Sequence, residues 1–291
     1  MEAAIVNRRD FLVSSMAVLG TAAAANLAEA ATKKRPLGVQ LYTVRDQAEK
    51  DLPGMLAAIK KIGYEEVETY WNVYTRPATE LKRLINDHGL RVPSGHFDYD
   101  GLEGKLDYAA TLGLEYVICP ILAEKDWNSL DSYRKAADQF NRWGEEAKKR
   151  GMRFGFHNHN YEFRHLRDTD GSDVVPWNLL MSRTDASLVC VEMDCYWITE
   201  AGLDPLEMFK KLGKRIHMLH LKDRQPGFPA SQEKNATAEH FTPPGTGTIN
   251  WKSILAAARK NGIRHMFVEQ DNGGVPLENV AVAYKNLVGI L

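Results

Sequence analysis

The stretch "FGFHNHNYEF" at residues 154–163 carries three side chains able to hold a metal ion or move a proton, His157, His159 and Glu162, directly behind an apolar run. Other short apolar runs also end on polar groups: Gln40 and Tyr42 in "LGVQLYT", Glu68 in "EEVETY", His96 in "VPSGHF", Asp194 in "VCVEMD", His220 and Lys222 in "IHMLHLK", and Glu269 in "MFVEQ". Ionisable groups are costly to bury without partners, so purely structural runs would not need so many of them. A lone histidine or glutamate in such a place is usually a hydrogen-bonded structural group. Gathered at one point, they form a hard site for a divalent cation with room for substrate oxygens, or a pair that moves a proton at a carbon beside a carbonyl.

The elements that must gather them are visible as a repeat. From Pro36 onward an amphipathic helical stretch, a glycine and a short apolar run recur, as in "AAIKKIGYEEVETY", "AATLGLEYVICP" and "FKKLGKRIHMLHL". Gly63, Gly89, Gly113, Gly151, Gly213 and Gly262 stand where a left-handed cap would end each helix before a strand begins. With residues 37–43 and 187–194 the apolar runs number eight. Eight strands alternating with helices predict the α/β class and a single (β/α)8 TIM barrel, with active groups at the C-terminal ends of the strands. No G-x-G-x-x-G follows the first strand, so a doubly wound nucleotide-binding sheet lacks its usual support.

Strand alternation sorts the candidates. Ile216, Met218, His220 and Lys222 share one face, and His217 points towards the helices. Phe267 and Glu269 share a face, as do Cys190, Glu192 and Asp194, which sets Glu192 one layer below Asp194 as support for a neighbouring cation. Residues 224–248 form a long polar segment, expected to be a lid or binding loop. Lys222 and Asp223 read equally well as a strand-end salt bridge or as substrate contacts. Trp71, Trp197, Tyr42 and Tyr161 are candidates to stack on sugar faces. Gly245-Thr246-Gly247 needs no ligand as a turn into a helix, and Asn235-Ala236-Thr237 matches a glycosylation acceptor by chance.

In order, at the ends of strands five to eight, "FHNHNYEF", "VEMDCYW", "IHMLHLKD" and "MFVEQD" resemble the xylose isomerase-like TIM barrel superfamily, especially its sugar (phosphate) isomerase/epimerase branch. The resemblance covers essentially all of residues 36–291. It implies one divalent metal ion, Mn²⁺, Mg²⁺, Co²⁺ or Zn²⁺, held by Glu162, Asp194, His220 and Glu269. It also implies that Glu162 and Glu269 form the acid/base pair of an isomerase or epimerase, moving a proton of a small sugar or keto-sugar through a metal-stabilised enediolate. The same first step followed by loss of a β-substituent would give a lyase or hydratase of a 3-keto-glycoside or an inosose. A non-catalytic carbohydrate-binding barrel is a third reading, against which both glutamates stand.

Glu162 lies an odd number of residues beyond both His157 and His159, so a regular strand cannot aim all three at one point. Either the strand ends near Asn158 and a turn brings Glu162 back, which is the expectation here, or His157 or His159 replaces it as ligand. Substrate contacts are expected from Gln40, Tyr42, Glu68, His96, His157, Trp197 and Lys222, and His159 is expected to act as acid/base.

Composition narrows the partners. The 37 Lys and Arg against 38 Asp and Glu give a net charge of −1 with no block of like charge, so no nucleic-acid partner is expected. Arg8 and Arg9 precede a mostly apolar stretch at residues 11–25, and Ala28-Glu29-Ala30 offers a small-x-small cleavage site. Residues 7–12 resemble a twin-arginine motif. Residues 1–30 therefore read as a twin-arginine (Tat) export signal and 31–291 as the barrel domain of a periplasmic or otherwise exported protein that meets the Tat export machinery. Export disfavours a phosphorylated substrate, and a homo-oligomer is compatible with the composition. Three cysteines, Cys119, Cys190 and Cys195, are read as small buried hydrophobes.

Overall fold

A computed structural model describes residues 35–233 and 238–291; the export segment at 1–30 and Asn235-Ala236-Thr237 lie outside the described residues. The apolar runs form β1 (Gly38–Gln40), β2 (Glu66–Thr69), β3 (Arg91–His96), β4 (Tyr116–Cys119), β5 (Arg153–His157), β6 (Val189–Asp194), β7 (Ile216–Leu221) and β8 (His265–Val268). All are parallel, and they close in chain order into a barrel with β8 beside β1. Between and after them run α1 (Leu52–Ile62), α2 (Ala78–Asp87), α3 (Leu106–Leu112), α4 (Leu130–Lys149), α5 (Pro176–Arg183), α6 (Pro205–Leu212), α7 (Trp251–Asn261) and α8 (Pro276–Leu287). This is the expected (β/α)8 architecture.

Local chemistry starts and stops these elements. Asp51, Ser129 and Asn250 accept backbone N–H bonds at the starts of α1, α4 and α7, satisfying donors that a helix leaves unpaired. All six glycines expected at helix ends have positive φ. At Gly113 the backbone is left-handed and its N–H reaches Ala109 and Ala110 carbonyls, ending α3 just before β4. The first apolar run stops sooner than its composition suggests. Gln40 Oε1 accepts the Tyr42 N–H and turns the chain into a 3-10 segment, Leu41–Val44, so Tyr42 stands beyond β1.

Two apolar layers surround the strands. The larger lies between strands and helices; the smaller fills the lower barrel with Tyr116, Ile118, Cys190, Met218 and Phe267. The three cysteines are free and buried, as read from sequence. Gly155 makes room for the inner layer, since a Cβ there would lie 2.7 Å from Ile118 Cδ1 and 2.9 Å from Cys190 Sγ. Gly155→Val is expected to destabilise the barrel by about 1–3 kcal/mol through overpacking. A urea midpoint unchanged from wild type would refute that account.

The long segment after β7 is more structured than a plain loop. Asp223–Arg224 pairs antiparallel with Phe241–Thr242. The Asp223 carboxylate accepts from the backbone N–H groups of Arg224, Gly245, Gly247 and Ile249 and from Trp251 Nε1. Asp223 thus anchors the turn into α7 that contains Gly245-Thr246-Gly247. Glu200 pairs with Arg224 and His240, and Asn160 donates to the Ser231 and Glu233 carbonyls. These contacts tie the segment to the turn after β5.

Candidate metal centre

Seven of the eight strands deliver polar side chains to the upper barrel, directly or just past their last residues. Pairing sets them level: His157 is opposite Glu192 across β5 and β6, and Asp194 is opposite His220 across β6 and β7. Asn158 fixes the first two turns against each other, because its Oδ1 accepts the Asp194 N–H and its Nδ2 donates to the Asp194 carbonyl.

The deeper layer is a closed network. Gln40 Nε2 donates to Glu68 Oε2 at 2.8 Å, and the same oxygen lies 2.6 Å from His220 Nε2 and 3.2 Å from His96 Nε2. Glu192 Oε2 lies 2.7 Å from His96 Nε2, 3.2 Å from His157 Nδ1 and 3.3 Å from His220 Nε2. The upper layer centres on Lys222, whose Nζ is 2.8 Å from Glu269, 2.9 Å from Asp271 and 3.2 Å from Asp194. The layers meet at His220, whose Nδ1 is 2.7 Å from Glu269 Oε2, and at His157, whose Nε2 is 3.5 Å from Asp194 Oδ2.

Charge in this region is weighted towards the carboxylates. Five carboxylates, Glu68, Glu192, Asp194, Glu269 and Asp271, outnumber Lys222 and the imidazoles that can be protonated beside it. Glu68 Oε1 and Glu192 Oε1 are buried without a hydrogen-bond partner, while Asp194 Oδ1 caps the next short helix through the Trp197 N–H. Buried unbalanced carboxylates are costly, so the donor set fits a divalent ion. Among the described residues two groups have ligand atoms within 4.8 Å of one another: His96, His157, Glu192 and His220, and His157, Asp194, His220 and Glu269.

Proton affinities follow the same field. Burial opposes charge on His96, but Glu68 and Glu192 outweigh it and raise its pKa to about 9. Burial likewise opposes charge on His220, yet Glu192, Glu68 and Glu269 raise it well above the usual histidine value. Burial pushes Asp194 up to about 6 against the pull of Lys222. For His159, burial and then the Lys222 charge hold the pKa well below the usual value, so the imidazole is neutral. Its Nδ1 has no partner.

The structure separates the sequence candidates by layer. Gln40, Glu68, His96 and His157 lie in the deep network, fully or almost fully buried. Asp194, His220, Lys222 and Glu269 converge above it. His159 and Lys222 share the Trp197 wall, with His159 and Trp197 rings 5.0 Å apart and Lys222 Nζ 5.4 Å from the Trp197 ring centroid. Tyr42 packs on Trp71 at the rim. Asp271 is a missed member of the site; it shares alternation with Glu269, two residues earlier, and that spacing was its signal.

Glu162 is placed apart from both groups. β5 ends at His157 and a 3-10 turn, Tyr161–Phe163, carries Glu162 back, but its Oε2 accepts the His159 N–H at 3.2 Å and its Oε1 has no partner. The gathered set includes His157, the alternative left open by strand parity, and not Glu162. Burial raises the Glu162 pKa well above the usual carboxylate range. A group whose folded pKa is raised binds its proton more tightly when folded, so its contribution to stability is lost as pH rises from about 4.3 through the folded value. Glu162→Gln should therefore gain stability relative to wild type as pH rises from 4 to 8. Thermal unfolding of both proteins across that range tests this, and a constant difference would contradict it.

The profile of the xylose isomerase-like TIM barrel family matches residues 56–283. The inosose dehydratase of Clostridium botulinum strain Eklund 17B is 30% identical over 221 residues, 65% of this chain and 72% of that protein. The inosose dehydratase of strain Alaska E43 is 30% identical over 145 residues, 47% of this chain, and the chain spans only 44% of that relative's length. A sugar phosphate isomerase/epimerase from Parabacteroides distasonis superposes with a TM-score of 0.72 at 25% identity, over 87% of this chain and 98% of its own. The IolI protein, solved with a bound zinc atom, superposes at 0.67 with 16% identity, over 88% and 97% of the two chains, a likeness of fold.

Proposed function

Because the chain belongs to the xylose isomerase-like TIM barrel family, we propose that it is a metal-dependent lyase removing water, or another β-substituent, from a keto-cyclitol or keto-sugar of the inosose class. The observation that carries the reading is the pairing of a neutral acceptor with an ammonium donor on one wall: His159, its Nδ1 free, and Lys222, both against Trp197. Likeness to inosose dehydratases over most of the barrel supports elimination ahead of the isomerisation that the sequence motifs first suggested.

A divalent ion bound by His157 and His220 with carboxylates of the two groups would supply positive charge close to the substrate carbonyl and so acidify the neighbouring C–H bond. His159 Nδ1 takes the proton from that carbon. The electron pair forms the new C=C bond, the β C–O bond breaks, and Lys222 Nζ protonates the leaving hydroxyl, which departs as water. Asp194, Glu269 and Asp271 hold the ammonium in place. Trp197 and Tyr42 offer faces for the ring, and the loop tied down by Asn160 and Arg224 limits water at the mouth.

A second reading, isomerisation or epimerisation, is favoured by the likeness to the Parabacteroides enzyme; there the same residues would return the proton to the substrate without loss of water. The export signal read at residues 1–30 would place the enzyme outside the cytoplasm with an unphosphorylated substrate. The test is incubation of the Mn²⁺-loaded protein with an inosose in heavy water. Growth of an enone or dione absorbance with stoichiometric loss of water supports the lyase; deuterium uptake with the carbon skeleton's hydroxyl count intact supports the isomerase. Neither change would end both readings.

A further inference from the structure

At the opposite end of the barrel from the metal centre, the first residues of β5, β7 and β8 border two clefts that share Arg153 and His217. The larger, of about 410 Å³, has Lys148, Arg153 and His217 above a floor of Met152, Phe154 and Cys190. The smaller, of about 230 Å³, is lined by Arg153, Lys214, His217 and Arg264. We propose that the larger cleft is a binding site for a small oxyanion, phosphate or carboxylate, carried on an apolar body, with Lys148 and Arg153 on the anionic group. The inner layer of Tyr116, Ile118, Cys190, Met218 and Phe267 separates this place from the metal centre, so the inference does not depend on the reading of the reaction.

Charge points to the ligand. Acidic and basic residues are almost equal in the chain, 38 against 37, yet among the described residues no carboxylate lines either cleft. Lys214 is tied to the Asn261 carbonyl and Arg264 to Glu115. The side chains of Lys148 and Arg153 have no ion pair or hydrogen bond among the described residues. Asp185 lies in the field of Lys148, but its Oδ1 accepts the Ser187 N–H at 2.7 Å and the residue does not line the cleft. A cation in the last turn of a helix balances the helix dipole, which accounts for Lys148 at the end of α4. It does not account for Arg153, the exposed first residue of β5. The Arg153 charge bears instead on His217, Cys190 and Tyr116. Burial and then Arg153 lower the His217 pKa to about 4, the mark of a positive field with no counter-charge at hand. Beneath that field Met152, Phe154 and Cys190 are buried apolar surface, so the cleft favours an anion with an apolar body over a bare ion.

Calorimetric titration of the whole chain with phenyl phosphate and, separately, with inorganic phosphate tests the site. Phenyl phosphate should bind at least about tenfold more tightly, because its ring covers the apolar floor. Arg153→Ala should weaken that binding by about tenfold or more, and Lys148→Ala in the same direction; both side chains are exposed, so neither change threatens the core. In histidine NMR, with His217→Gln identifying the resonance, His217 should titrate at a higher pH once phenyl phosphate is bound, because the anion offsets the Arg153 charge. Wild type and Arg153→Ala binding phenyl phosphate equally would overturn the site and place the anion elsewhere, and no binding of either anion would overturn it as well. Equal affinity for the two anions would overturn the ligand class.

Discussion

His220→Ala is expected to lose the metal ion and the activity together. His220 is the fully buried residue at which the two layers meet: Nε2 faces Glu68 and Glu192, and Nδ1 faces Glu269. It belongs to both candidate ligand groups, as does His157, so the outcome does not depend on which layer seats the ion. Under the proposed mechanism, loss of the ion would take away several kcal/mol of charge stabilisation at the substrate carbonyl, equivalent to a rate loss of about 10³-fold or more. The three carboxylates around the missing ring each lose one buried partner, and stability at neutral pH should fall by about 3–5 kcal/mol. His217→Ala is the control on the same strand. His217 points away from the barrel axis into a surface cleft beside Lys148 and Arg153, so that variant keeps its ion. Metal content per chain after desalting, with kcat on the same samples, is the measurement. A His220→Ala protein that retains about one ion per chain would remove the histidine from the centre.

The same contrast shows why much of this site was legible in the sequence. Period-two alternation placed Cys190, Glu192 and Asp194 on one face, and His220 opposite in sense to His217, although the pairing of β6 with β7 shifts register between Val191 and Glu192. Helix-ending glycines marked where six of the eight strands begin. Legibility failed just past the strand ends. Glu162 lies five residues beyond β5's last residue, on a 3-10 turn whose direction is set by its own hydrogen bonds, and its carboxylate closes that turn on the His159 N–H. Parity showed that His157, His159 and Glu162 could not converge, but not which would leave. Cross-barrel partners were also hidden. That His96 of β3 meets Glu192 of β6 depends on the tilt and stagger of the closed barrel, which no local pattern encodes. Glu68 and His96 read as substrate contacts for that reason, when their strand-end position was known and their depth was not.

Lys222→Met should separate the ammonium's work from the ion's. Lys222 is nearly fully buried and its Nζ holds Asp194, Glu269 and Asp271 at 2.8–3.2 Å. Burial opposes its charge, but those three carboxylates raise its pKa well above the ordinary lysine value, so it is an ammonium throughout the working range. Met keeps the stem's packing and removes the charge. Under the proton-donor role proposed for Lys222, its loss predicts a fall in kcat of about 10²–10⁴-fold. Leaving three carboxylates without their cation predicts a stability loss of about 3–5 kcal/mol near neutrality, and the loss carries a sign with pH. In the wild type, burial is outweighed at Glu269 by Lys222 and then His220, which lower its pKa; that stabilisation is present above the unfolded carboxylate pKa and fades as pH falls. In the variant the carboxylates rise instead, and their protonated forms are favoured by folding, so stability is lost as pH rises. The gap between the proteins must therefore widen from pH 5 to pH 8 in urea unfolding; an equal gap at both would show that packing, not charge, is what Lys222 contributes. If the ion sits among His96, His157, Glu192 and His220, Lys222→Met still binds it while catalysis is lost. If the ion sits among Asp194 and Glu269, removing the competing ammonium tightens its binding.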